Sequence, residues 1–102
     1  LGATELDTVI VMRSIQNSHR VWTNETAKKV AELDRRQAGL AEIVKAAGGD
    51  KSKRMYQEGD IQAGVMPCGQ GVGLVKKVMP MKDIIERIIS GADELRKKLA
   101  AV

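Results

Sequence analysis

Phenylalanine is absent from the 102-residue chain, and tryptophan and tyrosine occur once each. Any core must therefore be assembled from Leu, Ile, Val, Met and Ala, a palette that suits packed helices. Proline occurs only twice, and with 43% hydrophobic and 29% charged residues the composition excludes disordered and collagen-like chains. A single cysteine, Cys68, excludes an internal disulfide and, by itself, a zinc site, which fits a reducing, cytoplasmic setting. Uninterrupted apolar runs such as Val9 to Met12 fall far short of the roughly 20 residues that a membrane-spanning helix needs. The chain opens at Leu1 without the basic-then-apolar pattern of a secretory signal, and the expectation is a processed or excised piece. Its length is that of one domain.

The 17 Lys and Arg against 13 Asp and Glu give a net charge of +4. These charges are interspersed: Lys51, Lys53 and Arg54, and likewise Arg96, Lys97 and Lys98, have acids within a turn or two. With no aromatic residues interleaved for base stacking, the pattern is that of a solvated mixed surface rather than a nucleic-acid interface.

Along the chain, Asp7 to Arg13 is a short β-branched run that predicts one strand, with residues 1–16 forming strand and connection. From Asn17 to about Gln37 there is no Gly or Pro, and Ala27, Val30, Ala31 and Asp34 recur on neighbouring turns, which predicts a long helix. Asn17 or Ser18 offers a cap for it, and Asn24 followed by Glu25 offers a second starting point. After Gly39, the residues Leu40, Ile43, Val44 and Ala47 share a face, and Gly48 and Gly49 predict a left-handed stop. Asp50 then caps a short helix closed by Gly59, so that residues 17–59 form a helical unit. Residues 60–79 change character, with Gly64, Gly69, Gly71 and Gly73 in close succession, a pattern that calls for positive φ or a close backbone approach. Residues 80–100 give the strongest periodicity: Ile85, Ile88, Ile89, Ala92 and Leu99 line one stripe, Pro80 suits the first turn, and Arg96, Lys97 and Lys98 complement the C-terminal dipole.

Chemistry does not follow from these residues alone. The run Gly69-Gln70-Gly71-Val72-Gly73 lacks the spacing of a dinucleotide loop and has no Lys-Ser or Lys-Thr to make a P-loop. His19, the only histidine, sits between Ser18 and Arg20 and reads as an exposed or capping residue. Cys68 has no histidine near it in sequence and reads as structural. Glu58 and Asp60 flank Gly59, and Asp60 is most simply the cap of the turn that follows. Trp22 and Tyr56 read as packing anchors.

Taken together, the segments Met12 to Asp34, Lys53 to Val75 and Met81 to Leu99 resemble the C-terminal region of the FMN-dependent nitronate monooxygenase family, also called 2-nitropropane dioxygenases. The most specific part is the series Gly59-Asp60, Gly64, Gly69-Gln70 and Gly73-Leu74, similar to a pattern shared with the related flavin-dependent enoyl-acyl carrier protein reductases. Arg13, Asn17, Arg20, Val21 and Asn24 support it. The resemblance implies a parent (β/α)8 barrel carrying noncovalent FMN under a helical lid, with the site at the C-terminal ends of the strands. It implies oxidation of alkyl nitronates with oxygen, or hydride transfer in the reductases.

On this reading the chain is mainly α with one short N-terminal strand, the lid and closing-helix segment of a TIM-barrel flavoprotein and not a complete barrel. The family's catalytic histidine lies in a context that His19 does not match, so no catalytic residue and no metal ligand is assigned here. The resemblance makes Gly69, Gln70, Gly71 and Met66 the cofactor-binding candidates: glycines for close approach to a planar ring, an amide that donates and accepts, and a polarizable wall. FMN belongs to the complete enzyme, and binding by this chain alone is not expected. The partner is then a missing N-terminal barrel portion or, in the alternative reading of a stand-alone helical interaction module, further copies of the chain, because the last helix carries an apolar face that needs cover.

Overall fold

The computed structural model describes all of residues 1–102 as two short strands, four α-helices and one 3₁₀ turn. Strand β1 (Thr8–Val11) pairs antiparallel with β2 (His19–Trp22), in register Thr8 to Trp22 through Val11 to His19. Helices α1 (Glu25–Arg35), α2 (Leu40–Ala47) and α3 (Gly49–Glu58) follow. The 3₁₀ turn spans Gln70–Leu74, and α4 (Met81–Ala100) ends the chain. No barrel is closed, and no helix is long and apolar enough to cross a membrane.

The sequence predicts a helix from Asn17; the structure instead places residues His19–Trp22 in a strand. The physical reason is non-local. Strand β1 leaves a row of backbone groups to be satisfied, and Val21 and Trp22, residue types that favour strands, satisfy them from across the hairpin. Helix α1 takes the second starting point: Asn24 is its N-cap, its side-chain oxygen accepting from the Ala27 amide at 2.8 Å. Gly59 ends α3 in the left-handed region, with φ 71°, as the sequence indicates.

Gly48 does not act as a left-handed stop. Its φ is −70° and ψ 175°, and it serves at once as the end of α2 and the start of α3. What it requires is space, since a Cβ there would stand 2.6 Å from the Val44 carbonyl oxygen. Asp50 lies inside the first turn of α3 rather than capping it.

The core is small for an elongated molecule measuring 54 × 32 × 19 Å. Val11, Met12, Val21, Ala27, Val30, Ile43, Ala47 and Val65 pack together where α1 covers the hairpin and α2 packs on α1. The α2 stripe is only half used: Ile43 and Ala47 are buried, while Leu40 and Val44 remain exposed. Tyr56 is exposed as well, so it is not the packing anchor its size suggests.

Helix α4, about 30 Å long by its rise per residue, contributes no buried residue. Ile85, Ile88, Ile89, Leu95 and Leu99 keep between 49% and 73% of their surface in solvent. Its last turns are secured by charge, with Arg96 and Lys97 both reaching Asp93 and holding that carboxyl below its ordinary range.

Candidate functional site

The glycine-rich segment owes its position to a clamp at the start of α1. Asn24, 2% exposed, donates from its side-chain nitrogen to the carbonyls of Ile61 at 2.9 Å and Gly64 at 2.7 Å while its oxygen caps the helix. The Thr26 hydroxyl donates to the Gln62 carbonyl at 2.6 Å, and the Glu25 amide donates to the Gln62 side-chain oxygen at 2.8 Å. One polar turn thus satisfies the open amides of a helix and fixes the neighbouring loop.

Beyond the clamp, residues 66–68 run beside β2 as a third, strand-like edge. The Trp22 amide donates to the Met66 carbonyl at 2.9 Å, the Cys68 amide to the Arg20 carbonyl at 3.2 Å, and Val21 bridges Pro67 between them. A proline is tolerated there because an edge position can leave its missing N–H facing outward.

This arrangement opens a cavity of about 580 Å³, walled by Trp22, Thr23, Ile61, Met66, Cys68 and Val72 and rimmed by Asp7 and the first residues of the chain. The wall is largely apolar. Met66, one of the four residues singled out by sequence, is half-buried in it. Gly69, Gln70 and Gly71 stand outside this cavity, exposed where the segment enters the 3₁₀ turn. Around Gly69 and Gly71 a Cβ would meet nothing within 4 Å, and Gln70 makes no side-chain hydrogen bond within the chain. The exposed turn and the cavity that holds Met66 are therefore two separate features, joined through Cys68.

The glycines of this segment divide into two kinds, and none has positive φ. A Cβ on Gly64 would stand 3.0 Å from the backbone of Lys51 and Ser52, and one on Gly73 would stand 2.9 Å from the Glu5 carboxylate. Gly64 is thus required by close approach of α3. Gly64→Ala is expected to cost about 1–3 kcal/mol, because helix backbone must move aside and the carbonyl that accepts from Asn24 moves with it. Gly69→Ala and Gly71→Ala are expected to change thermal stability by less than about 0.5 kcal/mol. Thermal melts of the three variants check this contrast.

The remaining titratable candidates are structural. Arg54 ties Asp60 at 2.9 Å and Glu58 at 3.6 Å, so the two carboxylates share one guanidinium. Asp60 also accepts from the Gln62 amide at 3.2 Å, the turn-capping role its sequence position indicates. His19 is anchored to the Asn17 carbonyl at 3.0 Å, and the Cys68 sulfur lies 3.6 Å from the Gly69 carbonyl. No cluster of three or more His, Cys, Asp or Glu side chains is placed to hold a metal. Sequence reasoning passed over Trp22, Ile61 and Val72 as cavity walls. The alternation across Arg20, Val21 and Trp22 was the signal for the first, but it is masked by the helix-forming residues that follow.

A two-stranded hairpin that closes no barrel and a last helix with no buried side chain are consistent with a segment of a larger fold. The solved structures point the same way. The chain is similar to FabK from Thermotoga maritima, with TM-score 0.74 and 26% identity over 98% of this chain and 31% of that one. To the FabK M276A mutant of the same organism the values are 0.73 and 28%, over 98% of this chain and 28% of the other. The chain thus spans less than a third of the length of these structures. No protein-family model matches the sequence.

Proposed function

We propose that the chain is the C-terminal lid and closing-helix portion of an FMN-dependent oxidoreductase, and that it is inactive without the barrel portion. The observation that carries this reading is the match of nearly the whole chain to less than a third of FabK, together with a closing helix that buries nothing of its own. FabK is a flavin-dependent enoyl-acyl carrier protein reductase, so among the reactions implied by the family resemblance hydride transfer has the direct support of a solved relative. Oxidation of alkyl nitronates with oxygen is the other chemistry of the same barrel family and is the second reading.

The residues present fit a flavin as one wall and no more. Gly69 and Gly71 leave room for a flat ring to approach from outside and Gln70 has its amide free, while Met66 turns its apolar surface to the separate cavity. FMN, once bound in the complete enzyme, would supply the hydride or electron transfer. The part of this chain is to cover the ring and exclude water.

The test is complementation. The 102-residue chain, alone or co-expressed with Thermotoga maritima FabK truncated before the matching segment, is purified and its visible flavin absorbance read. Retention of stoichiometric FMN only by the pair is the expected result. Tight FMN binding by the chain alone overturns the claim of inactivity in isolation. A pair that never associates, with the chain sedimenting as a defined oligomer, supports instead the stand-alone module that covers its α4 face with further copies of itself.

A further inference from the structure

A second cavity, of about 360 Å³, lies beneath the β1–β2 loop, away from the residues assigned to the flavin. Val9, Ile10 and Ala31 form its apolar side, and Arg13, Asp34 and Gln37 its polar side. Asp34, near the end of α1, is only 9% exposed. One of its oxygens accepts twice from Ser14, from the hydroxyl at 3.0 Å and the amide at 3.2 Å. The other oxygen is buried without any partner. Buried carboxylate oxygens are ordinarily satisfied, so this one calls for a donor.

Three donors border the cavity. Arg35 is committed to an ion pair with Glu32. Gln37 directs its side-chain nitrogen at the Asp34 carbonyl, 3.4 Å away. Arg13 is exposed and makes neither hydrogen bond nor ion pair through its side chain. It immediately precedes Ser14, whose amide donates to the other Asp34 oxygen, and Arg13 and Asp34 line the same cavity.

We propose that Arg13 and Asp34 form a latch: the guanidinium turns into the cavity, donates to the free carboxylate oxygen, and locks the β1–β2 loop onto the end of α1. The segment it would lock needs holding. Met12 at φ 64° and Gln16 at φ 56° both occupy the left-handed region in that loop, and Gln37 at φ 57° does so just past α1. Non-glycine residues persist there only where their surroundings over-determine them. The planar fork of arginine suits a carboxylate edge whose other oxygen is already taken, which lysine's single ammonium matches less well.

The test is a double-mutant cycle read by thermal melting of the full chain. In the wild-type background Asp34→Asn lowers the midpoint by about 5 °C, because a paired carboxylate is lost. In the Arg13→Gln background the same substitution raises it, because there it removes a buried charge that has hydrogen bonds from Ser14 but no counter-charge. Arg13→Lys falls between wild type and Arg13→Gln. An Asp34→Asn effect of the same sign and size in both backgrounds overturns the latch. Should Arg13→Gln fail to fold, the Arg13 Nε–H is followed by NMR: a slowly exchanging signal in wild type that vanishes in Asp34→Asn supports the pairing, and a fast-exchanging one in wild type overturns it.

Discussion

Asn24→Ala is expected to lower the thermal midpoint by more than about 10 °C, the largest effect of any single polar substitution in the chain. The helix cap lost with it is worth about 1 kcal/mol. Each of the two hydrogen bonds to Ile61 and Gly64 adds about 1 kcal/mol, and the two carbonyls are left without a donor. A domain of 60–100 residues loses roughly 4–8 °C per kcal/mol, so a total near 3 kcal/mol exceeds 10 °C. Asn24→Ser separates the contributions: a serine oxygen still caps α1 but cannot reach both carbonyls, so about a third of the loss is recovered. Amide exchange in residues 61–64 should accelerate in both variants, since the loop loses its anchor on α1. A midpoint for Asn24→Ala within about 2 °C of wild type would show that the loop is held by the surrounding apolar contacts and not by this side chain.

The reach of sequence reasoning can be judged at the same residue. Asn24 before Glu25 is a local signal, and the helix start it marks is where α1 begins. That Asn24 also clamps a loop some forty residues away has no local signature at all. Strand β2 failed for a related reason. His19 to Trp22 adjoins a stretch of strong helix formers, and only pairing with β1 decides the contest. The glycine series was legible as a place of unusual demand, but not for which demand. Gly64 and Gly73 answer to close packing, whereas Gly69 and Gly71 meet nothing within the chain. Helix α4 was legible almost to its ends, because a periodic stripe needs no knowledge of what it packs against.

The same independence makes α4 the sharpest test of the lid reading. The double substitution Ile88→Lys and Leu95→Glu is expected to leave the melting of the hairpin–α1–α2 core within about 1–2 °C of wild type, since neither side chain is buried. Its effect should fall on association. Both residues border the groove of about 700 Å³ between α4 and the segment 74–79, so whatever body covers that face buries them. Burying a side chain of this size contributes about 1.5–3 kcal/mol, so losing two weakens association by at least about a hundredfold. The loss is read by sedimentation with the truncated FabK barrel portion and, separately, with the chain alone. If only the mixed complex weakens, α4 is a closing helix on a foreign sheet; if only self-association weakens, the helix belongs to a module built from copies of itself. A variant that associates normally but melts many degrees lower would mean that α4 folds back onto its own core, and the lid reading would lose its physical basis.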